Sequence, residues 1–323
     1  MKKITFVIPC YRSEHTLENV VRELKERLKE REDAYDYEII LVNDASPDGV
    51  WRVIQKLCKE DAAITGISFA RNFGQHAALL AGYAKATGDY VFSLDDDGQA
   101  PLEAIYDMVD KLEEGYDVVY GKYPDVKQSG FRRLGSYMND KMSEILLGKP
   151  KHIEGNSFSV MRAFITKEII RYKNAYPYIG GLVFRATKNI ANVTVNQRER
   201  QSGTSGYTFK KLISLWMNGF TAFSIKPLQM VTFFGSVVAC LGFLYMIAIL
   251  IRRILEPQIL LGWSSIMAVL LILGGVILVA LGMIGEYIGR IYISINDAPQ
   301  YVIREEIIGT REEEHDSGKA CDK

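Results

Sequence analysis

The sequence predicts an α/β domain built on a mostly parallel sheet, followed by an interfacial amphipathic helix and a two-helix transmembrane hairpin. Three observations predict it. Short apolar, β-rich runs alternate with amphipathic stretches through the N-terminal part of the chain. Two later runs, 228–251 and 263–285, carry no formal charge. The stretch just before them, 207–225, mixes lysines with large apolar side chains.

The elements follow in order. "ITFVIP" (4–9) reads as a first strand, and Val20, Val21, Leu24 and Leu28 then fall at helical spacing. "YEIILVN" (37–43) precedes a helix near 48–60, and "ITGISFA" (64–70) precedes one near 75–86. "YVFSLD" (90–95) leads to a helix starting near Pro101, where proline suits the first turn. "DVVYG" (117–121) is a fifth strand. Unbroken apolar strands alternating with helices indicate a sheet covered on both faces.

"LQMVTFFGSVVACLGFLYMIAILI" (228–251) and "WSSIMAVLLILGGVILVALGMIG" (263–285) are each long enough to cross a bilayer. A core of about 30 Å takes roughly 20 helical residues. The link between them, "RRILEPQILLG", is too short for a domain, so the two form a hairpin with both ends on one side. Lys210, Lys211 and Lys226 before it, and Arg290 and Arg304 after it, put those ends in the cytosol. Arg252 and Arg253 in the link oppose this. The opening "MKKITFVIPCY" decides for the cytosol, because its apolar run is too short for a signal peptide. "YTFKKLISLWMNGFTAFSI" (207–225) suits a helix lying among headgroups. The polar tail "REEEHDSGKACDK" suits disorder. The expected organisation is therefore a cytosolic domain over 1–206, an interfacial helix over 207–226 and two transmembrane helices within 227–289. A cytosolic juxtamembrane segment with a disordered tail fills 290–323.

Lys+Arg and Asp+Glu both total 39, which argues against a nucleic-acid binder. Cys10, Cys58, Cys240 and Cys321 are as scattered as His15, His76, His152 and His315. A zinc site is not expected, and isolated cysteines fit a reducing compartment.

In parallel α/β sheets the ligand sits beyond the carboxyl ends of the strands. The polar residues there run from Pro9 to Glu14, then Asp44, then Arg71 and Asn72, then Asp95, Asp96 and Asp97. No strand is followed by G-x-G-x-x-G or a Walker A sequence, which excludes the usual dinucleotide and P-loop pockets. Asp95 and Asp97, two apart on extended chain, can point the same way. They would then hold Mg²⁺ or Mn²⁺ together with a diphosphate. A solvated acidic turn is the alternative. An EF-hand loop does not fit, because Ala100 stands where its glycine belongs.

In order, the chain reads "VIPCY", "VNDASPD", "RNFGQHAALLAGY", "LDDDGQAP", "RERQSGTSGYTFKKL" and, after two apolar runs, "GEYIGRIY". This succession resembles the family 2 inverting glycosyltransferases of the GT-A fold over residues 3 to 300. The resemblance is strongest to the polyprenyl-phosphate branch: dolichyl-phosphate mannose synthase, bactoprenol glucosyltransferases and undecaprenyl-phosphate aminoarabinose-type transferases. It implies that Pro9, Tyr11, Glu14, Asp44, Arg71, Asp95 and Asp96 bind the donor, and that Asp95 and Asp97 hold the metal. It implies catalytic work for Asp97, Gln99, Arg132 and Arg200. Arg132, Arg133, Arg200, Ser205 and Tyr207 would surround the acceptor phosphate.

Three departures stand out. Arg12 and Ser13 follow the tyrosine where the family more often has Asn-Glu, Gly206 replaces a lysine, and Asn156 stands where many members carry an acid. His76 reads as structural. The implied activity moves a sugar from a nucleotide diphosphate, a UDP-sugar, to undecaprenyl phosphate at the cytosolic face of a bacterial inner membrane. The acceptor phosphate is already ionised, so no carboxylate base is needed, only cations that align it. The resemblance leaves room for a homo-oligomer, often a tetramer in related enzymes. A polysaccharide synthase using a sugar hydroxyl, or a non-catalytic nucleotide-sugar-binding scaffold, are the competing readings.

Overall fold

The computed structural model describes residues 1–123, 141, 143–144, 148–174, 177–196, 226–255, 263–295 and 299–309. The chain forms two units. One is Met1–Tyr207 together with Pro299–Lys323, and the other is Thr208–Ala298.

The first unit opens with β1 (Lys2–Cys10), α1 (Leu17–Leu28), β2 (Tyr35–Asn43) and α2 (Val50–Glu60). Then come β3 (Ile64–Phe69), α3 (Gln75–Lys85), β4 (Tyr90–Ser93), α4 (Ile105–Glu113) and β5 (Val118–Lys122). After residues outside the description come β6 (Ser159–Arg162), α5 (Ala163–Ile169), α6 (Ile179–Ala186) and β7 (Ile190–Thr194). The unit regains the chain late, with β8 (Ile303–Ile308).

These strands make one sheet in the order β7-β5-β6-β4-β1-β2-β3-β8. β1 pairs in parallel with β2 and β4, and β2 with β3, so four carboxyl ends share one edge. Alternation along β1 explains the layers. Ile4, Phe6 and Ile8 face the core that α1, α2 and α4 cover, and Phe6 stacks on Phe92 at 5.2 Å. Val7 faces the opposite way, against α3. A Cβ on Gly82 would lie 2.2 Å from Val7 Cγ1, so glycine is what lets α3 lie flat on that face.

Two strands depart from the sequence expectation. β6 inserts antiparallel between β4 and β5. β8 runs antiparallel to β3 at the sheet edge. The sequence reading placed 303–308 in a cytosolic juxtamembrane segment and named no strand there. "IREEII" hides its strand character because three of its six residues are charged, which suits an exposed edge.

In the second unit, α7 (Lys226–Leu255) and α8 (Trp263–Ile295) contain the two uncharged runs. Among the described residues, no helix is long and apolar enough to cross a membrane. The expected interfacial helix, 207–225, and the acidic tail from 311 lie outside the described residues.

Candidate active site

The carboxyl edge of β1, β2, β3 and β4 gathers the predicted residues on four short turns. Each strand is apolar and buried up to its end, and the chain turns polar where it leaves the sheet. Two of these turns hold a non-glycine residue in the left-handed region, Arg12 at φ 60 and Ala45 at φ 48. Such backbone costs about 1 kcal/mol per residue and collects at functional edges. Here it is braced, since the Arg12 N–H donates to Ser46 Oγ at 2.8 Å.

The three adjacent carboxylates are sent three ways. Asp95 Oδ1 accepts from Gln75 Nε2 at 2.7 Å, and Asp95 Oδ2 accepts from the Ser157 hydroxyl. Asp96 Oδ2 accepts from the Tyr11 backbone N–H at 2.9 Å, tying β4's turn to β1's. Burial pushes the Asp96 carboxyl up to about 6. Asp97 Oδ1 accepts from the Gln99 N–H at 3.0 Å, closing a tight turn around Gly98, whose φ of 75 favours glycine. Tyr123 stands in the field of the outer pair. Burial first, then the charges of Asp95 and Asp97, push its phenol up to about 12.

The remaining predicted residues divide. Tyr11 is exposed at the edge, with the Arg12 guanidinium 5.5 Å from its ring centre. The Arg71 guanidinium lies 4.6 Å over the Phe73 ring at the same edge. Pro9 is buried inside β1, opposite Val42. Glu14 Oε2 accepts from the Gly49 N–H at 2.9 Å, which engages its carboxylate at the start of α2. Asp44 is buried, and both its oxygens are occupied by the β3–α3 turn: Phe73 N–H at 2.7 Å and Gly74 N–H at 2.8 Å. Burial raises its pKa despite those two donors. His76 packs edge-on against Tyr178 at 5.1 Å. Asn156 donates to the Gly121 carbonyl. Arg132, Arg133, Arg200, Ser205, Gly206 and Tyr207 lie outside the described residues.

Ser157, Gln75 and Tyr123 are neighbours of the acidic turn that the sequence did not single out as such. Their signal is tertiary, since Ser157 reaches Asp95 only because β6 lies beside β4.

The arrangement suits a divalent cation. Asp95 and Asp97 are partly exposed carboxylates on one turn, and Gln75 and Ser157 fix the direction of the first. Among the described residues no group of three or more His, Cys, Asp or Glu forms a closed cage. Mg²⁺ and Mn²⁺ do not need one, as one or two carboxylates plus substrate phosphate oxygens serve them.

Known proteins resemble this chain over most of its length. Residues 5–170 match glycosyl transferase family 2, and residues 226–291 match the GtrB C-terminal hairpin. A Bacillus subtilis (strain 168) protein described as the uncharacterized glycosyltransferase YkcC is 32% identical over 301 residues, 93% of each chain. The undecaprenyl-phosphate 4-deoxy-4-formamido-L-arabinose transferase of Proteus mirabilis is 32% identical over 317 residues, covering 96% of this chain and 95% of that one. Among solved structures, mannosyl-3-phosphoglycerate synthase from Rubrobacter xylanophilus aligns at a TM-score of 0.49 with 15% identity. That alignment covers 67% of this chain and 71% of the other. The mostly parallel α/β sheet, the acidic turn at its carboxyl edge and the full-length relatives make one case: the chain is a glycosyltransferase and belongs to glycosyl transferase family 2.

Proposed function

We propose that this enzyme transfers a sugar from a nucleoside diphosphate donor, a UDP-sugar, to undecaprenyl phosphate at the cytosolic face of a bacterial inner membrane. The observation that carries the reading is the joining, in one chain, of the family 2 domain and a GtrB-type hairpin. A lipid acceptor explains why a sugar-transfer domain would carry such a hairpin.

The hairpin's chemistry supports a membrane location. Over 228–251 and 263–285 the helices carry no formal charge. At 1.5 Å per residue those runs extend about 35 Å without a charged side chain. Phe233, Phe234, Leu241 and Leu278 are each 60–70% exposed, a surface that water would penalise and lipid would not. The Thr232 and Ser236 hydroxyls turn back onto the Leu228 and Thr232 carbonyls, as apolar surroundings demand. The link "RRILEPQILLG" is too short for a domain, so two crossings joined by it would leave both hairpin ends on one side of the membrane.

At the site, Asp95 and Asp97 would hold Mg²⁺ or Mn²⁺ against the donor diphosphate. When bound, the cation supplies charge neutralisation for the departing nucleoside diphosphate. Gln75 and Ser157 keep Asp95 aimed. Tyr11 and Arg71 offer a ring and a guanidinium to the donor. Arg132, Arg133 and Arg200 would supply cations for the acceptor phosphate, and Gln99 would stand near the reacting sugar. The attacking phosphate is an anion before it arrives, so proton removal is not part of the step.

Membranes containing the protein, incubated with a panel of labelled nucleotide-sugars, Mn²⁺ and undecaprenyl phosphate, test this. Label extracted into organic solvent is the expected product. Label in polymer would replace the reading with a polysaccharide synthase. Nucleotide-sugar binding without turnover would replace it with a scaffold.

A further inference from the structure

We propose that the strand following the hairpin positions the donor site, and that Tyr301 is the positioning residue through which it acts. The inference rests on the proposed function for the identity of the ligand. Its structural basis lies wholly within the first unit.

β8 is antiparallel to β3, so its first residues lie at the carboxyl end of β3, the edge that carries the site. There the Ala70 N–H donates to the Val302 carbonyl at 2.9 Å. One residue earlier, Tyr301 stacks on Phe69 with ring centres 5.4 Å apart and planes 9° apart. Phe69 in turn meets Phe73 edge-on at 5.8 Å. The Phe73 and Gly74 N–H groups are the two donors to Asp44, and the Arg71 guanidinium covers the Phe73 ring. A continuous line of contacts thus runs from Tyr301 to the turn that presents Arg71 and braces Asp44.

The same segment grips the helices that start at the site. Glu305 accepts from Trp51 Nε1 on α2 at 3.1 Å, and Glu306 pairs with Lys85 on α3 at 2.7 Å. Gln300 Nε2 donates to the carbonyls of Tyr172 and Asn174, both at 2.8 Å. A strand that only covered an exposed edge would need its backbone bonds and little else. Here aromatic stacking and a side-chain clamp concentrate at Gln300 and Tyr301, where the chain enters the sheet. The donor turn is therefore packed by chain that follows the hairpin.

The test uses the full-length enzyme in detergent, with Tyr301→Ala and Tyr301→Phe. Removal of the ring should raise the donor KM about tenfold, since the turn that presents Arg71 loses its packing partner. kcat and the KM for undecaprenyl phosphate should stay within about twofold. Tyr301→Phe keeps the ring and should match wild type. Calorimetric titration with uridine and guanosine diphosphates reads the same loss without any acceptor. Glu306→Gln loosens the far part of β8 and should lower the melting temperature without moving the donor KM. A wild-type donor KM in Tyr301→Ala overturns this inference alone. So does a loss in that variant spread equally over donor KM, acceptor KM and kcat. A wild-type enzyme that binds neither diphosphate overturns the inference and the proposed function together.

Discussion

Ser157 and Gln75 should matter to activity only through Asp95, and a double-mutant cycle reads that directly. Each donates one hydrogen bond to the Asp95 carboxylate, Gln75 to one oxygen and Ser157 to the other. A hydrogen bond to a charged acceptor is worth about 1.5–3 kcal/mol, and the partly exposed setting argues for the low end. If that energy serves to aim Asp95, then Ser157→Ala and Gln75→Ala should each lower kcat/KM about tenfold. The double variant should fall short of the hundredfold product, because one lost tether already lets the carboxylate swing. The Mn²⁺ concentration giving half-maximal rate should rise in both single variants, since the carboxylate they orient is a proposed ligand. The assay is initial rate of label transfer to the organic phase across an Mn²⁺ series. Single variants within about twofold of wild type, or losses that multiply with an unchanged Mn²⁺ requirement, would refute the reasoning.

Further outcomes are expected. Asp97→Ala should abolish turnover while the protein still fractionates with membranes, and chelation of divalent cations should silence the wild type until Mn²⁺ or Mg²⁺ is restored. His76 has its imidazole lowered to about 4 by burial. The folded state therefore resists a proton that the unfolded chain takes near 6.5, and stability present above 6.5 drains away as pH falls toward 4. The drain is at most about 3 kcal/mol, and His76→Gln should flatten that part of a melting-temperature profile against pH. Gly82→Ala puts a methyl 2.2 Å from Val7 Cγ1 and should cost about 1–3 kcal/mol by overpacking, seen as a lower melting temperature.

The first four strands were legible because each is a short run of consecutive apolar residues ending in polar ones, and pairing left those ends where the pattern put them. The acidic turn was legible for the same reason. β8 was not, because an edge strand with one solvated side can carry Arg304, Glu305 and Glu306 and still pair. Glu14 and Asp44 show a different limit. Both are carboxylates at the right edge, yet one reaches the Gly49 N–H and the other braces Phe73 and Gly74. From sequence, the backbone N–H groups that a carboxylate also braces cannot be seen. Ser157 could not be read at all, since its partner lies 62 positions away and is reached only through antiparallel β6.

The crowding of Asp95, Asp96 and Asp97 then has a physical resolution that does not require three ligands. Like charges on adjacent residues are tolerable when each is turned toward a different donor, and here the donors come from α3, the β6 side, the β1 turn and the turn's own backbone. The middle carboxylate bears the burial, and its elevation to about 6 is the cost of that. Its return is the bond to the Tyr11 N–H, which fixes the β1 turn next to the outer pair. In this chain the middle position is therefore not free to vary. Asp96→Ala would relieve a half-buried carboxylate held above its usual range and so should leave overall stability nearly unchanged. It would still release the β1 turn, so that its damage would fall on donor binding rather than on folding. A variant as stable as wild type with a weakened grip on the nucleotide is the result that separates this role from a merely structural one.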